Sequence, residues 1–177
     1  MKGLIFAEFV EFAETRLGVS LPGAAYRADR NYPSSDLMTL VEGAGRAANQ
    51  PSGAILVAFG RYLFTRFAAL YPVFFVDTGS ALELLARINT HVHDEVRKLY
   101  PDAEFPAFDV ERAAGQLTLV YRSRRPLADL AEGLIQGCVA HFGEPIAVER
   151  HDTPGALGHE ARFVLRMHDH SRRRAQP

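Results

Sequence analysis

Two histidines, His91 and His93, stand two residues apart in the stretch HVHDEVRKLYP. Imidazole is the commonest protein metal ligand, so the pair raises metal binding as a question. The run around them, from Leu82 to Leu99, has the periodicity of an amphipathic helix. At about 100° per residue, Leu85, Ile88, Val92, Val96 and Leu99 share one arc, the expected core face. His91 and His93 then lie about 200° apart, so a regular helix cannot aim both at one ion. His91 falls with Arg87, Glu95 and Lys98 on the polar flank, facing water. His93 falls with Leu82 and Ala86 on an apolar edge. The plain reading of His93 is a core-edge histidine with one hydrogen bond. The chemical reading is a lone axial ligand to a metal that brings its own equatorial ligands, as haem iron does.

A second constellation lies in QLTLVYRSRR. With the two-residue period of a strand, Leu117, Leu119, Tyr121, Ser123 and Arg125 share a face. That face begins apolar and ends as phenol, hydroxyl and guanidinium. Three such donors suit a carboxylate, which Arg125 can grip bidentately. The alternative is a strand leaving the core with its arginine in solvent.

The elements that position these groups change character along the chain. Leu4, Ile5, Phe9, Phe12, Ala13 and Leu17 recur at helical spacing, and Gly18 ends the pattern. LPGAAYRADRNYPSSD is turn-rich at both ends, with room for a short helix. Ser34 or Ser35 is expected to cap a helix through DLMTLVEGAGRAAN. SGAILVAFGRYLFTRFAALY predicts a strongly apolar helix that Pro72 breaks. Thr78 or Ser80 then starts the histidine helix. After Pro101, FPAFDVER, QLTLVYRSRR, EPIAVERHD and ARFVLRMH alternate as strands do. PLADLAEGLIQGCVAHFG between them reads as a helix, opened by Pro126 and closed by Gly143. The expected fold is α+β, helices followed by an antiparallel sheet with one helix packed on it. Residues 1–168 should form a single domain, and 169–177 a frayed basic tail.

Composition narrows the function. The 177 residues are 47% hydrophobic and 23% charged, ordinary values for a water-soluble domain. A net charge of -1 gives no ground for a nucleic-acid partner. The single cysteine, Cys138, excludes an internal disulfide and any multi-cysteine zinc site. Glu8, Glu11 and Glu14 interrupt the N-terminal apolar run, unlike a signal peptide. No run of 18 consecutive apolar residues occurs, so no membrane span is expected and the location should be cytoplasmic.

His93 together with Tyr121-x-Ser123-x-Arg125 resembles the H-NOX family, haem domains that bind nitric oxide or oxygen. Stand-alone bacterial members and the haem domain of soluble guanylate cyclase belong to it. The resemblance covers nearly the whole chain. MKGLIFAEFVEF resembles the family's first helix, HVHDEVRKLYPDAEFPAF its proximal-histidine helix and following loop, and LADLAEGLIQGCVAHF the helix after the motif. It implies haem b with His93 as proximal iron ligand, His91 as a bystander, and Tyr121, Ser123 and Arg125 on the propionates. Pro106 resembles the proline that bends the porphyrin and stores strain there.

The resemblance also implies which gas binds. Oxygen-binding members place a tyrosine on the helix after the motif, where this chain has Leu130. Ile5, Phe9, Phe67 and Leu134 would complete an apolar distal pocket, unless Tyr62 supplies a donor from another helix. Dioxygen then loses a hydrogen bond of roughly 1.5–3 kcal/mol, so selectivity for nitric oxide, with carbon monoxide also bound, is expected. In the family pattern, nitric oxide weakens the bond to His93 and the haem relaxes. The proximal and N-terminal helices then shift for a separately encoded partner, a histidine kinase or a cyclic-di-GMP enzyme.

Departures and rivals complete the reading. The cysteine-rich zinc site of some bacterial relatives is absent, and Cys138 reads as a small core residue. His151, His159, His168 and His170 read as solvated surface. One rival is a haem enzyme, a peroxidase or nitric-oxide-detoxifying activity, which would need a distal acid–base pair. Another is a haem-free interaction module of the same fold.

Overall fold

The computed structural model describes residues 1–23, 25–155 and 158–168. His170 and the expected tail, 169–177, lie outside the described residues. Helix α1 (Gly3–Leu17) ends where Gly18 adopts φ 66°, a left-handed conformation that suits glycine. Its buried face is Phe6, Phe9, Phe12 and Ala13, rotated from the expected stripe so that Leu4 and Ile5 are only half-buried. Helix α2 (Ser34–Ala48) starts at Ser34 with Pro33 as N-cap and no side-chain cap, so neither serine caps it as expected. The preceding segment is made of turns and one bridge, Lys2 to Asn31, with no helix among the described residues.

Helix α3 (Ser52–Leu70) is long and apolar enough to cross a membrane by length and composition. Here its Ile55, Leu56, Phe59 and Leu63 are core residues. A 3-10 turn, Pro72–Phe75, follows. Ser80 caps α4 (Ala81–Ala86), its side chain accepting from the Glu83 backbone N–H at 3.1 Å. The expected single histidine helix is in fact three pieces: α4, a π-helical turn over Ile88–His93, and α5 (Asp94–Leu99). Such π turns widen the helix by one residue and recur at functional sites. Side-chain hydrogen bonds fasten this one: Asn89 Nδ2 donates to the Phe108 carbonyl at 2.7 Å.

Strands β1 (Ala107–Ala113), β2 (Gln116–Ser123), β3 (Ile146–Gly155) and β4 (Gly158–Met167) form an antiparallel sheet in the order β1-β2-β4-β3. Central β2 sets Leu117, Leu119 and Tyr121 opposite Leu165, Phe163 and Ala161 on the core face. Thr118 and Val120 on the other face are also buried, so β2 is sealed on both sides. Helix α6 (Ala128–Phe142) packs on the core face and ends at Gly143, φ 65°, as expected.

Two apolar clusters result, one between α6 and the sheet, the other among α1, α2 and α3. Leu134 of α6 packs against both. The close crossing of α3 and α6 depends on glycine, since a Cβ on Gly133 would stand 2.2 Å from the Val57 carbonyl oxygen.

Candidate functional site

A cavity of about 800 Å³ lies where the two clusters meet, within the size range of cofactor sites. Both constellations of the sequence reach it: His93 on one wall, Tyr121, Ser123 and Arg125 on another. Its apolar wall includes Ile88, Val92, Val96 and Leu99. With Leu85, all five residues assigned to a core face therefore line the cavity, and Leu99 is 55% exposed. The helix period located the stripe but could not tell a core from a cavity.

His93 is buried, with 8% of its surface exposed. Burial, and secondarily the Arg97 charge, lower its pKa to about 4. The ring is therefore neutral near pH 7, as a metal ligand must be. Its Nδ1 is buried and meets no hydrogen-bond partner among the described residues. The single hydrogen bond of the plain reading is thus missing. The ring instead stacks on Phe105, with centroids 4.4 Å apart and planes 24° apart.

His91 does not line the cavity. It does not face water either: it is half-buried, and its Nε2 lies 3.0 Å from the Phe74 carbonyl oxygen. The π turn explains the correction, because it changes the angular position of every residue after Ile88 relative to a regular wheel.

Only Tyr121 and Ser123 of the motif lie on β2; Arg125, expected on the same strand face, sits in the bend after it, and the motif folds back on itself. Tyr121 donates its hydroxyl to the Arg125 carbonyl oxygen at 3.3 Å, and the Arg125 N–H donates to Ser123 Oγ at 3.0 Å. Burial raises the Tyr121 pKa, so the phenol stays a donor. The Arg125 guanidinium donates to the Glu104 carboxylate, and again to the Glu104 carbonyl oxygen at 3.4 Å. It is 22% exposed, so it is not the solvent-bathed arginine of the alternative reading. Pro106, on the loop beside it, also lines the cavity.

Of the expected distal residues, Ile5, Phe67, Leu130 and Leu134 line the cavity. Phe9 does not, a correction: it packs in the helical core against Phe59, centroids 5.0 Å apart. Its place three positions from Phe12 puts it on the buried stripe of α1. Tyr62 is absent from the wall too, its ring packing on Phe12 at 5.5 Å. Sequence reasoning missed Leu63, which lines the cavity one helical turn before Phe67 on α3, a spacing that was legible. It also missed Tyr71 and Tyr100, whose hydroxyls pair at 3.4 Å across the wall. No sequence pattern links those two. Burial and that hydrogen bond push the Tyr71 pKa up to about 12.

Outside the cavity, Cys138 is fully buried. His151, His159 and His168 are exposed, as expected. No group of three or more metal-ligating side chains occurs among the described residues.

The chain matches the family described as Haem-NO-binding over residues 2–150. Its fold is similar to the Fe(II) unliganded H-NOX protein from K. algicida, at 28% identity and TM-score 0.83 over 97% of this chain and 98% of that one. It is likewise similar to an H-NOX protein from S. oneidensis in the Fe(II)NO ligation state, at 26% identity and TM-score 0.84 over 96% of this chain and 100% of that one. No curated protein matches it.

Proposed function

The chain belongs to the haem-NO-binding family of gas-sensing domains, and we propose that its cavity binds haem b, with His93 as axial ligand, to detect nitric oxide. The observation that carries this reading is a neutral, buried imidazole sharing one cavity with the Tyr121, Ser123 and Arg125 donors. With Nδ1 sealed in protein, Nε2 is the nitrogen left to meet iron. Arg125 already holds a carboxylate, that of Glu104, so a propionate would meet a guanidinium preset for its kind. Glu104 would yield to it. When bound, haem supplies a ferrous iron that takes a diatomic gas.

The chain's own residues then decide the selectivity. Ile5, Phe67, Leu130 and Leu134 present no hydrogen-bond donor, which disfavours dioxygen and leaves nitric oxide and carbon monoxide. Tyr62 packs on Phe12 instead of entering the cavity, which supports the same preference. Among the described residues His93 is the sole histidine of the wall, so no second histidine stands ready as a peroxidase base. The relative from S. oneidensis is named in its Fe(II)NO state, the same gas.

In this proposal His93 also carries the signal. Asn89 and His91 fasten the π turn to Phe108 and Phe74. With His93 and Pro106 holding the group on one side of the cavity, release of His93 would let that turn and α1 move apart. A separately encoded histidine kinase or cyclic-di-GMP enzyme would read the movement through different affinities for the two states. The cytoplasmic location expected from the sequence belongs to the same proposal. Absorption spectra of reduced protein, in air and with nitric oxide, test it for wild type and His93→Ala. A histidine-ligated ferrous spectrum that air leaves unchanged and nitric oxide converts is expected. A stable oxy form would overturn the selectivity, and failure to take up haem would overturn the whole reading.

A further inference from the structure

We propose that Phe105 is the positioning residue for the His93 imidazole, a task that a hydrogen-bond acceptor performs in most metal–histidine sites. Ligating histidines nearly always donate their second ring N–H to a carboxylate, carbonyl or water, which fixes the ring's rotation. Here Nδ1 is buried without such a partner among the described residues. What touches the ring is an aromatic face: Phe105 lies 4.4 Å away and 24° from parallel, an offset stack.

Phe105 is itself held from two sides. The Arg97 guanidinium lies over its ring at 5.2 Å, a cation–π contact, and Asp94 pairs with Arg97 at 2.5 Å. Pro106 follows it in the chain and restricts its backbone to extended conformations. Asp94 and Arg97 stand on α5, directly after His93, so the clamp belongs to the element that carries the ligand. Arg97 and His93 both contact the Phe105 ring, and the stack holds the plane of the imidazole. A ring oriented by stacking also lacks the added basicity that an acceptor on Nδ1 would lend it.

The inference rests on His93 being the axial ligand. The test is resonance Raman spectroscopy of the ferrous protein, read at the iron–histidine stretching mode, with haem transfer to excess apomyoglobin measured beside it. Phe105→Leu should shift and broaden the mode and speed haem transfer on the order of tenfold. Phe105→Tyr, which keeps the flat ring, should restore both. A merely structural Phe105 would alter transfer but leave the mode in place, and that result overturns the proposal. Should Phe105→Leu fail to fold, Phe105→Met keeps apolar volume without a ring and is read the same way. A wild type that binds haem without an iron–histidine mode overturns the ligand assignment, and this inference with it. A wild type with the mode and a Phe105→Leu variant indistinguishable from it overturns this inference alone.

Discussion

Lys2 Nζ lies 2.5 Å from Asp102 Oδ1, joining the start of α1 to the loop after α5. Both residues line the cavity. Asn31 Nδ2 donates to the other Asp102 oxygen at 2.5 Å, so one carboxylate clasps two segments of the N-terminal region. Side-chain exposure is 13% for Lys2 and 57% for Asp102, so the pair is screened by water on one side.

Asp102→Asn should therefore change thermal stability little and cofactor retention more. The expected result is faster haem transfer to apomyoglobin, enhanced further by salt in the wild type than in the variant. Equal transfer rates for wild type and variant would show that the clasp does not hold the cavity closed.

The α3–α6 crossing makes a sharper demand. A methyl group on Gly133 would meet the Val57 carbonyl, and neither backbone can step aside cheaply. Gly133→Ala should destabilise by about 1–3 kcal/mol or more, measured by urea unfolding. Gly43→Ala in α2 meets nothing within 4 Å and should stabilise instead, by roughly 0.5–1 kcal/mol. Equal effects at the two sites would contradict the packing argument.

Cys138 provides the pH prediction. Burial pushes its thiol from 9.0 up to about 12. The folded state thus keeps its proton where the unfolded state has released it. The contribution to stability is fully present below pH 9.0 and is lost as pH rises toward about 12. Unfolding midpoints compared with Cys138→Ala across that window check the sign. The same burial predicts negligible reaction of the native thiol with alkylating or nitrosating reagents at pH 7, and ready reaction in urea.

Leu130 stands on the cavity wall, 8% exposed. Leu130→Tyr adds a phenolic donor to that wall. A hydrogen bond to polarised dioxygen is worth roughly 1.5–3 kcal/mol, so oxygen affinity should rise about tenfold to a hundredfold. A ferrous–oxy spectrum in air is the expected readout. Its absence would mean that the position does not face the gas.

Much of the architecture was legible because its signals are local. Alternation in QLTLVYRSRR, Gly143 at the end of α6, and Gly18 after α1 each depend on near neighbours in the chain. The site was legible in part for the same reason. His93 and Tyr121-x-Ser123-x-Arg125 are short patterns, and the structure brings both to one cavity.

Where local period met long-range packing, the sequence misled. A regular wheel put His91 in water, whereas the π turn and Phe74 hold it half-buried. The family resemblance named Phe9 for the cavity, but α1 is rotated so that Leu4 and Ile5 reach the wall and Phe9 enters the core. Glu104 lies in a loop, and Phe105, expected to open a strand, precedes β1; only folding sets them against Arg125 and His93.

The sequence by itself therefore determined the order of helical and strand regions and the chemical types available to the site. Tertiary structure alone decided which apolar face lines a cavity, which ring orients the imidazole, and which carboxylate meets the arginine. The physical reason is that periodicity and caps arise from contacts a few residues apart. Facing and pairing arise from groups brought together across the chain by burial.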